Sequence, residues 1–473
     1  MSFSVPTQED LNNKIAIHFN GTSLSYKNFE SLIEQEFYQI KDYIERDQIV
    51  AFSFKKGIKE AAITLMLLKN DLVGLNLSDD KPDQYIIEII NSHPIRFFYS
   101  SRDIKLSLTK ANINYQHFLI DDYHFYIIDQ KMLIPNKIKK ASWCLLTSGS
   151  TKQPKIVLIS RDNLNERVAS EIQLFQINSQ DNICIFLNLS HDLGLNQLLT
   201  AYQQKATIFL FKYIFFNDFM DFILRNKITG FTAVASFWKE WLNHIDQDSH
   251  FQSSLRYSTI SGSKLSEEEE KILLKTLPKD TILYKTYGQT ETFRSLYGII
   301  GKNQYQGIPL PNVQLRLITS NNQQIGELVH SGAGTMLGYL DESPPVAEVM
   351  TGDIFQLHSN HEYQYLGRKD DMFKIKDQRF YPLQIEEVAN DHANIIDCVA
   401  FYQNFCGQEN ITLIYQANED ISSKDLSDYL ITFLPKIIVP TTYIRVESFP
   451  KLHSGKIDRK KIIDEIQSLR LNK

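Results

Sequence analysis

The sequence predicts an α/β fold: a large N-terminal domain of layered, mostly parallel sheets with helices, then a small C-terminal domain of α+β character. Three observations carry this. At 473 residues the chain exceeds what one hydrophobic core usually spans, so two domains are expected. Apolar strand-like runs alternate with helix-length amphipathic stretches, the pattern of parallel strands joined by helices. Beyond Gly367-Arg368-Lys369-Asp370 the rhythm closes into a unit of about 100 residues, a usual domain size. The boundary is therefore set at 1–368 and 369–473.

The elements follow in order. Tyr26, Phe29, Leu32 and Ile33 open an amphipathic helix that runs to about Ile44. Strand Ile49–Phe54, helix Gly57–Lys69 and strand Leu72–Leu77 come next, then a helix opened by Lys81-Pro82-Asp83 and a strand Ile95–Tyr99. Trp143-Cys144-Leu145-Leu146 and Ile156-Val157-Leu158-Ile159 read as two buried strands by length and composition. A helix over Asn163–Ile177, a strand over Ile183–Leu189, a helix over Leu195–Gln203 and a strand over Ala206–Phe211 repeat the alternation. Ser266 and Glu269 form a capping box that starts a helix to about Leu277, and a strand over Ile282–Lys285 follows. Gly326–Tyr339 is short and glycine-rich, as β structure would be. Two helices, Ser423–Leu434 and Asp458–Leu469, are expected in the C-terminal unit.

Composition removes several classes. Hydrophobic content of 43% and charged content of 22% are those of a soluble globular protein. A net charge of −6 without a basic block argues against nucleic acid or an anionic membrane as partner. No run approaches the ~20 apolar residues of a membrane span. The opening MSFSVPTQEDLNNK lacks the features of a signal peptide. Cys144, Cys184, Cys398 and Cys406 fit no zinc spacing, the first three read as core packing, and a reducing cytoplasm is the expected compartment.

The chemistry centres on the loop between the two buried strands. Thr147-Ser148-Gly149-Ser150-Thr151-Lys152 carries four hydroxyls and a glycine, so backbone N–H and side-chain O–H groups can converge on an anion. Lys155 adds positive charge. The Walker pattern fails, because the lysine lies beyond a proline and leads into a strand; an ordinary polar turn is the alternative. Further along, Tyr287, Thr290 and Glu291 combine an aromatic, a hydroxyl and a carboxylate able to hold Mg²⁺ through oxygen.

TSGSTKQPKI resembles the phosphate loop of the adenylate-forming superfamily, which includes acyl-CoA synthetases, nonribosomal-peptide adenylation domains and firefly luciferases. Lys152 and Ile156 replace its usual glycines. The family's other blocks follow in order: Tyr287-Gly288-Gln289-Thr290-Glu291, Gly326-Glu327-Leu328 with Gly338-Tyr339-Leu340, Thr351-Gly352-Asp353, Gly367-Arg368-Lys369-Asp370 and Pro450 to Arg459. Asp377 and Gln384 stand where the family has a glycine and a glutamate.

The resemblance implies the following roles. Thr147, Ser148, Gly149, Ser150, Thr151 and Lys155 grip the phosphates of ATP. Gly262 and Tyr287 lie against the adenine, Thr290 meets the α-phosphate, and Glu291 binds Mg²⁺. Asp353 accepts from the ribose hydroxyls, Arg368 reaches ribose or phosphate, and Asp370 is the hinge of a mobile C-terminal domain. Lys456 neutralises charge where carboxylate and α-phosphate meet. The glycine–tyrosine block is expected to be structural. Asp192, Leu193, Asn196, Ala233, Thr259, Ser261, Thr286, Arg294 and Ser295 surround the acid, with Asp192 holding an α-ammonium. Arg294 is expected either to pair a second carboxylate or to pair Asp192.

The implied reaction is ATP-dependent activation of a small carboxylic acid, amino or hydroxy acids favoured, as an acyl-adenylate with release of pyrophosphate. Transfer to the phosphopantetheine thiol of a separate carrier protein follows, since no carrier domain is present in the sequence. A CoA ligase for a short or polar acid is the alternative, and a catalytically impaired nucleotide-binding relic a second one.

Overall fold

A computed structural model describes residues 13–129, 132–147, 154–245, 251–262, 264–319, 324–341, 345–375, 378–405, 408–450 and 457–471. Among these, two large sheets dominate. A nine-stranded sheet runs in the order Ile308–Pro309, Phe293–Ile299, Ile282–Gln289, Tyr257–Ser261, Gly230–Val234, Asn182–Ile185, Thr207–Leu210, Ile15–Phe19, Thr22–Ser25. An eight-stranded sheet runs Gly338–Tyr339, Ile156–Ser160, Ala141–Leu146, Val73–Asn76, Ile49–Ser53, Ile95–Ser100, Tyr123–Ile128, Tyr115–Ile120. Parallel pairing fills the centre of each, as between Tyr257–Ser261 and its two neighbours. The margins are antiparallel hairpins, which need only tight turns where parallel neighbours need crossovers.

One helix between the sheets is covered on all sides and is correspondingly apolar. In Ile58–Lys69 the residues from Glu60 to Leu68 are all buried. Helices Tyr26–Ile40, Arg161–Phe175 and Asp192–Gln203 join it in one core with residues from both sheets, such as Ile17 and Trp143. Outer helices are one-sided: Asp83–Ser92 buries only Ile86, Ile87, Ile89 and Ile90. On the far face of the nine-stranded sheet Phe216–Arg225, Ala235–His244 and Glu267–Thr276 pack Phe219, Trp238, Trp241 and Leu273. The capping box at Ser266 forms as expected. Cys144, Cys184 and Cys398 are buried free thiols; Cys406 lies outside the described residues.

A four-stranded antiparallel sheet, Val313–Ile318, Ile325–Gly332, Glu348–Leu357 and Tyr363–Arg368, follows. After Asp370 come a short hairpin, Phe373–Ile375 with Gln378–Phe380, and a three-stranded sheet, Ile395–Phe405, Gln408–Ala417 and Thr442–Arg445. Helices Pro382–Asn390 and Ser423–Phe433 cover one face of the latter and Arg459–Leu471 the other. The first of these three helices escapes the sequence reading. Gln384 replaces the family glutamate yet still caps it, accepting from the Tyr381 N–H at 3.0 Å.

Two expectations shift. The strand foreseen over Ile183–Leu189 stops at Ile185, and the strand foreseen to end at Lys285 runs on to Gln289. The second change follows from pairing, since Tyr287 and Gln289 align with Leu296 and Phe293 across the hairpin. A Cβ on Gly288 would lie 1.6 Å from the Phe293 carbonyl oxygen, so only glycine lets these backbones meet.

Candidate active site

A cleft of about 1360 Å³ is lined by Thr147, Lys155, Gly262, Thr286, Tyr287, Thr290, Glu291, Tyr339, Asp353 and Arg368 on one side and by Glu386, Ile457 and Arg459 on the other. Motifs scattered from Thr147 to Arg459 thus share one cavity.

The strand Ile282–Gln289 supplies its centre. Tyr287 Oη donates to Asp353 Oδ2 at 2.5 Å, and Gln289 Nε2 donates to the same oxygen at 2.7 Å and to the Thr351 carbonyl at 2.8 Å. Arg368 Nη1 donates to Asp353 Oδ1 at 2.8 Å and to the Thr351 carbonyl at 3.2 Å. Asp353 is thereby held by three side chains from two strands. Gly352 sits at φ 68°, and a Cβ there would lie 3.0 Å from Arg368 Nη2, so glycine gives both the left-handed turn and the room for the guanidinium. Burial, then the Asp353 charge, push the Tyr287 hydroxyl well above its ordinary range, so it stays a proton donor. Its ring packs edge-on against Phe355 with centroids 4.8 Å apart.

Beside this knot lies the phosphate end. The Thr147 N–H donates to the Lys155 carbonyl at 3.0 Å, closing the feet of the hydroxyl-rich loop; Ser148, Gly149, Ser150 and Thr151 themselves lie outside the described residues. Lys155 Nζ stands 4.5 Å over the Tyr339 ring, and Tyr339 Oη donates to Glu291 Oε1 at 2.7 Å. The glycine–tyrosine block, expected to be structural, therefore reaches the site. Ile156, where the family has glycine, is fully buried in the core of the eight-stranded sheet, which explains an apolar residue there.

Several foreseen residues sit elsewhere. Asp192 opens its helix and is half-buried, like Leu193; Ala233 is fully buried. Ser261 bonds Thr286 through their hydroxyls at 2.6 Å. Asn196 is 1% exposed, with neither side-chain polar atom finding a partner among the described residues, and Thr259 Oγ1 is equally alone. Asp370 is exposed in the turn after Tyr363–Arg368, and Lys456 lies outside the described residues.

Arg294 requires a correction. Its guanidinium is 2% exposed and engages Glu171 Oε1 and, at 3.1 Å, Thr232 Oγ1. Arg167 Nη2 shares that Glu171 oxygen at 2.6 Å, and Arg167 Nη1 donates to the Arg294 carbonyl at 2.5 Å. The pair is made with Glu171, on the helix Arg161–Phe175, and not with Asp192. Sequence spacing cannot reveal a partner 123 residues away.

Gln289 and Tyr339 are functional candidates that motif reading missed. Gln289 occupies the variable position of Tyr-Gly-x-Thr-Glu, and Tyr339 stands in a block whose aromatic could have been read as a ligand.

The cleft and the layered sheets around it are those of an AMP-forming acid ligase. Residues 7–340 match the AMP-binding enzyme family, and the chain belongs to that family. Zwittermicin A synthase ZmaJ of Bacillus cereus is 22% identical over 94% of this chain and 91% of its own length. The 2-succinylbenzoate–CoA ligase of Staphylococcus epidermidis is 29% identical over 68% of this chain and 69% of its own. The chain spans 43% of tyrocidine synthase 1 of Brevibacillus parabrevis, at 22% identity. Among solved structures, o-succinylbenzoate CoA synthetase of Bacillus subtilis with its acyl-adenylate superposes at TM-score 0.79, 17% identity and 95% coverage of both chains. ATP-bound MatB of Rhodopseudomonas palustris superposes at 0.80, 16% identity and 96% coverage of both. No described helix is long and apolar enough to cross a membrane.

Proposed function

We propose that this chain activates a small polar amino or hydroxy acid with ATP, forming an acyl-adenylate and pyrophosphate, and passes the acyl group to the phosphopantetheine thiol of a carrier protein. The observation that carries the reading is the Asp353 knot lying in one cleft with Thr147, Lys155, Thr290 and Glu291. Asp353 is oriented to accept from ribose hydroxyls, as acidic residues do in other nucleotide folds. Lys155 and the loop feet face the phosphates.

The donor set fits Mg²⁺ carried by the nucleotide. Among the described residues no group of three His, Cys, Asp or Glu side chains could hold a metal ion; the cleft offers Glu291 and hydroxyls instead. Mg²⁺ commonly binds through one or two carboxylates plus substrate phosphates, where it neutralises phosphate charge. Glu291 is oriented for this by Tyr339. The chain's own part in the step is positioning and electrostatics: Thr290 meets the α-phosphate, and Lys456 bridges carboxylate and phosphate. The C-terminal unit from 369 onward then swings about Asp370 to admit the thiol.

The polar side chains of Ser236, Asn243 and Thr286 in the cleft lining support a polar acid. Pyrophosphate exchange over a panel of amino, hydroxy and dicarboxylic acids tests the reading; activity with long-chain fatty acids alone would overturn it. A CoA acceptor is the second reading, favoured by the 29% identity to a CoA ligase. Mass spectrometry of CoA and of a holo-carrier after incubation separates the two.

Glu291→Gln should raise the Mg²⁺ concentration needed for half-maximal exchange, since a neutral amide is a poorer ligand for a hard cation; an unmoved midpoint would remove the metal role. Asp192→Ala should cost exchange with the cognate amino acid far more than with its deamino analogue, by several kcal/mol, if Asp192 holds an ammonium. With Arg294 bound to Glu171, this single variant suffices. Equal losses for both acids would exclude the contact.

A further inference from the structure

The strand Asn182–Ile185 ends early, and the next residues wrap the cleft without regular structure before the helix Asp192–Gln203 begins. Phe186 and Leu187 line the cleft. Backbone groups in such a segment must find partners outside any ladder. The Leu187 carbonyl finds Lys56, whose Nζ donates to it at 2.6 Å across 131 positions of sequence. Lys56 belongs to the loop after the strand Ile49–Ser53, so one ammonium ties the eight-stranded sheet to the segment leaving the nine-stranded one. The tie is charge-assisted, hence stronger than a neutral bond.

A second observation shows that the segment and the helix are packed directly together. A Cβ on Gly194 would lie 2.2 Å from the Asn188 carbonyl oxygen, so the first turn of the helix sits directly on the residue after Leu187. The His191 N–H also donates to the Asn188 carbonyl at 3.2 Å. Displacing Leu187 therefore displaces the helix that carries Asp192 and the unpartnered Asn196.

We propose that Lys56 is a positioning residue for the acid substrate: by holding the Leu187 carbonyl it fixes the Phe186–Leu187 wall of the cleft and the seat of the helix Asp192–Gln203. This rests on the cleft being the acid-activating site proposed above.

The surroundings of Lys56 make the tie sensitive to pH. Burial pushes its ammonium down to about 8, against the opposing charge of Glu60. Burial pushes Glu60 up to about 7, with Asp79 adding to the rise while Asn76 and Lys56 oppose it. Asn76 Nδ2 donates to Glu60 Oε1 at 2.8 Å. A lysine lowered in this way loses its proton as pH climbs through its folded value, and a neutral amine is the weaker donor.

The test measures pyrophosphate exchange with acid and ATP varied separately, in wild type, Lys56→Met and Lys56→Arg, together with amide hydrogen exchange over Phe186–His191. Lys56→Met should raise the acid KM about 10-fold, the scale of one charge-assisted bond, without moving the ATP KM. Lys56→Arg should restore most of the loss. The wild-type acid KM should rise above about pH 8, whereas that of Lys56→Arg should stay flat. Amides of Phe186–His191 should exchange faster in Lys56→Met. Unchanged acid KM, or equal losses for acid and ATP, would overturn the proposal. Wild type inactive with every acid would defeat the functional reading instead. Hydrogen exchange then decides the tie alone: faster exchange in Lys56→Met keeps it, unchanged exchange removes it.

Discussion

Alanine at Lys456 is expected to slow adenylate formation by about 10²–10³-fold, the usual cost of removing one group that meets charge developing in a transition state. ATP binding and the fold should be largely retained, because such a contact matters more to the transition state than to the ground state. The flanking residues explain why this lysine is the one to test. The Asp458 N–H donates to the Pro450 carbonyl at 2.8 Å, which joins the two ends of the segment that carries Lys456. Arg459 is gripped by both oxygens of Glu386, at 2.6 and 2.8 Å, and Glu386 Oε1 also accepts from the Ala400 N–H at 2.7 Å. Ile457, Arg459 and Glu386 all line the cleft. Pyrophosphate exchange at saturating acid and ATP is the measurement; a rate equal to wild type would remove Lys456 from the mechanism.

The second large effect is on stability. Glu171→Gln should destabilise the protein by about 3–5 kcal/mol, because it strands buried charge without a counter-ion. Two guanidiniums, Arg167 and Arg294, converge on this one carboxylate, and all three side chains are at most 2% exposed. Urea denaturation at pH 7 reads the change. The pH dependence has a definite sign. Burial pushes the Glu171 carboxyl up, but the charges of Arg294 and Arg167 and their hydrogen bonds outweigh it and hold the group below its ordinary value. A carboxylate depressed in the folded state contributes stability that is present above its unfolded pKa of about 4.3 and lost as pH falls through the folded value. Wild type should therefore lose stability faster than Glu171→Gln on acidification below about pH 4.3. Parallel loss in both would show that Glu171 is not the titrating group.

The sequence by itself determined the class of fold, the family and the chain of motifs from the hydroxyl-rich loop to Arg459. These depend on local pattern: apolar runs of strand length, a capping box at Ser266 and Glu269, and short blocks whose residue types suit nucleotide chemistry. It also located a helix over Leu195–Gln203, which in the structure already begins at Asp192, although the strand before it was read as too long. Nothing in Ile183–Leu189 marks where pairing stops; the strand ends at Ile185, and the Leu187 carbonyl beyond it accepts from Lys56.

Tertiary structure alone decided which side chains meet. Gln289 holds Asp353 because the strand that carries the Tyr-Gly-x-Thr-Glu block extends to it, and extension depends on a hairpin partner and on Gly288 allowing close approach. Tyr339 reaches Glu291 because its two-residue strand pairs with Val157 and Leu158 at the sheet margin. Arg294 pairs with Glu171 and not with Asp192 because Glu171 offers a buried carboxylate that Arg167 also shares. Each outcome is a contest between partners far apart in sequence. Spacing ranks residue types for a role, but only packing selects which charge finds which counter-charge.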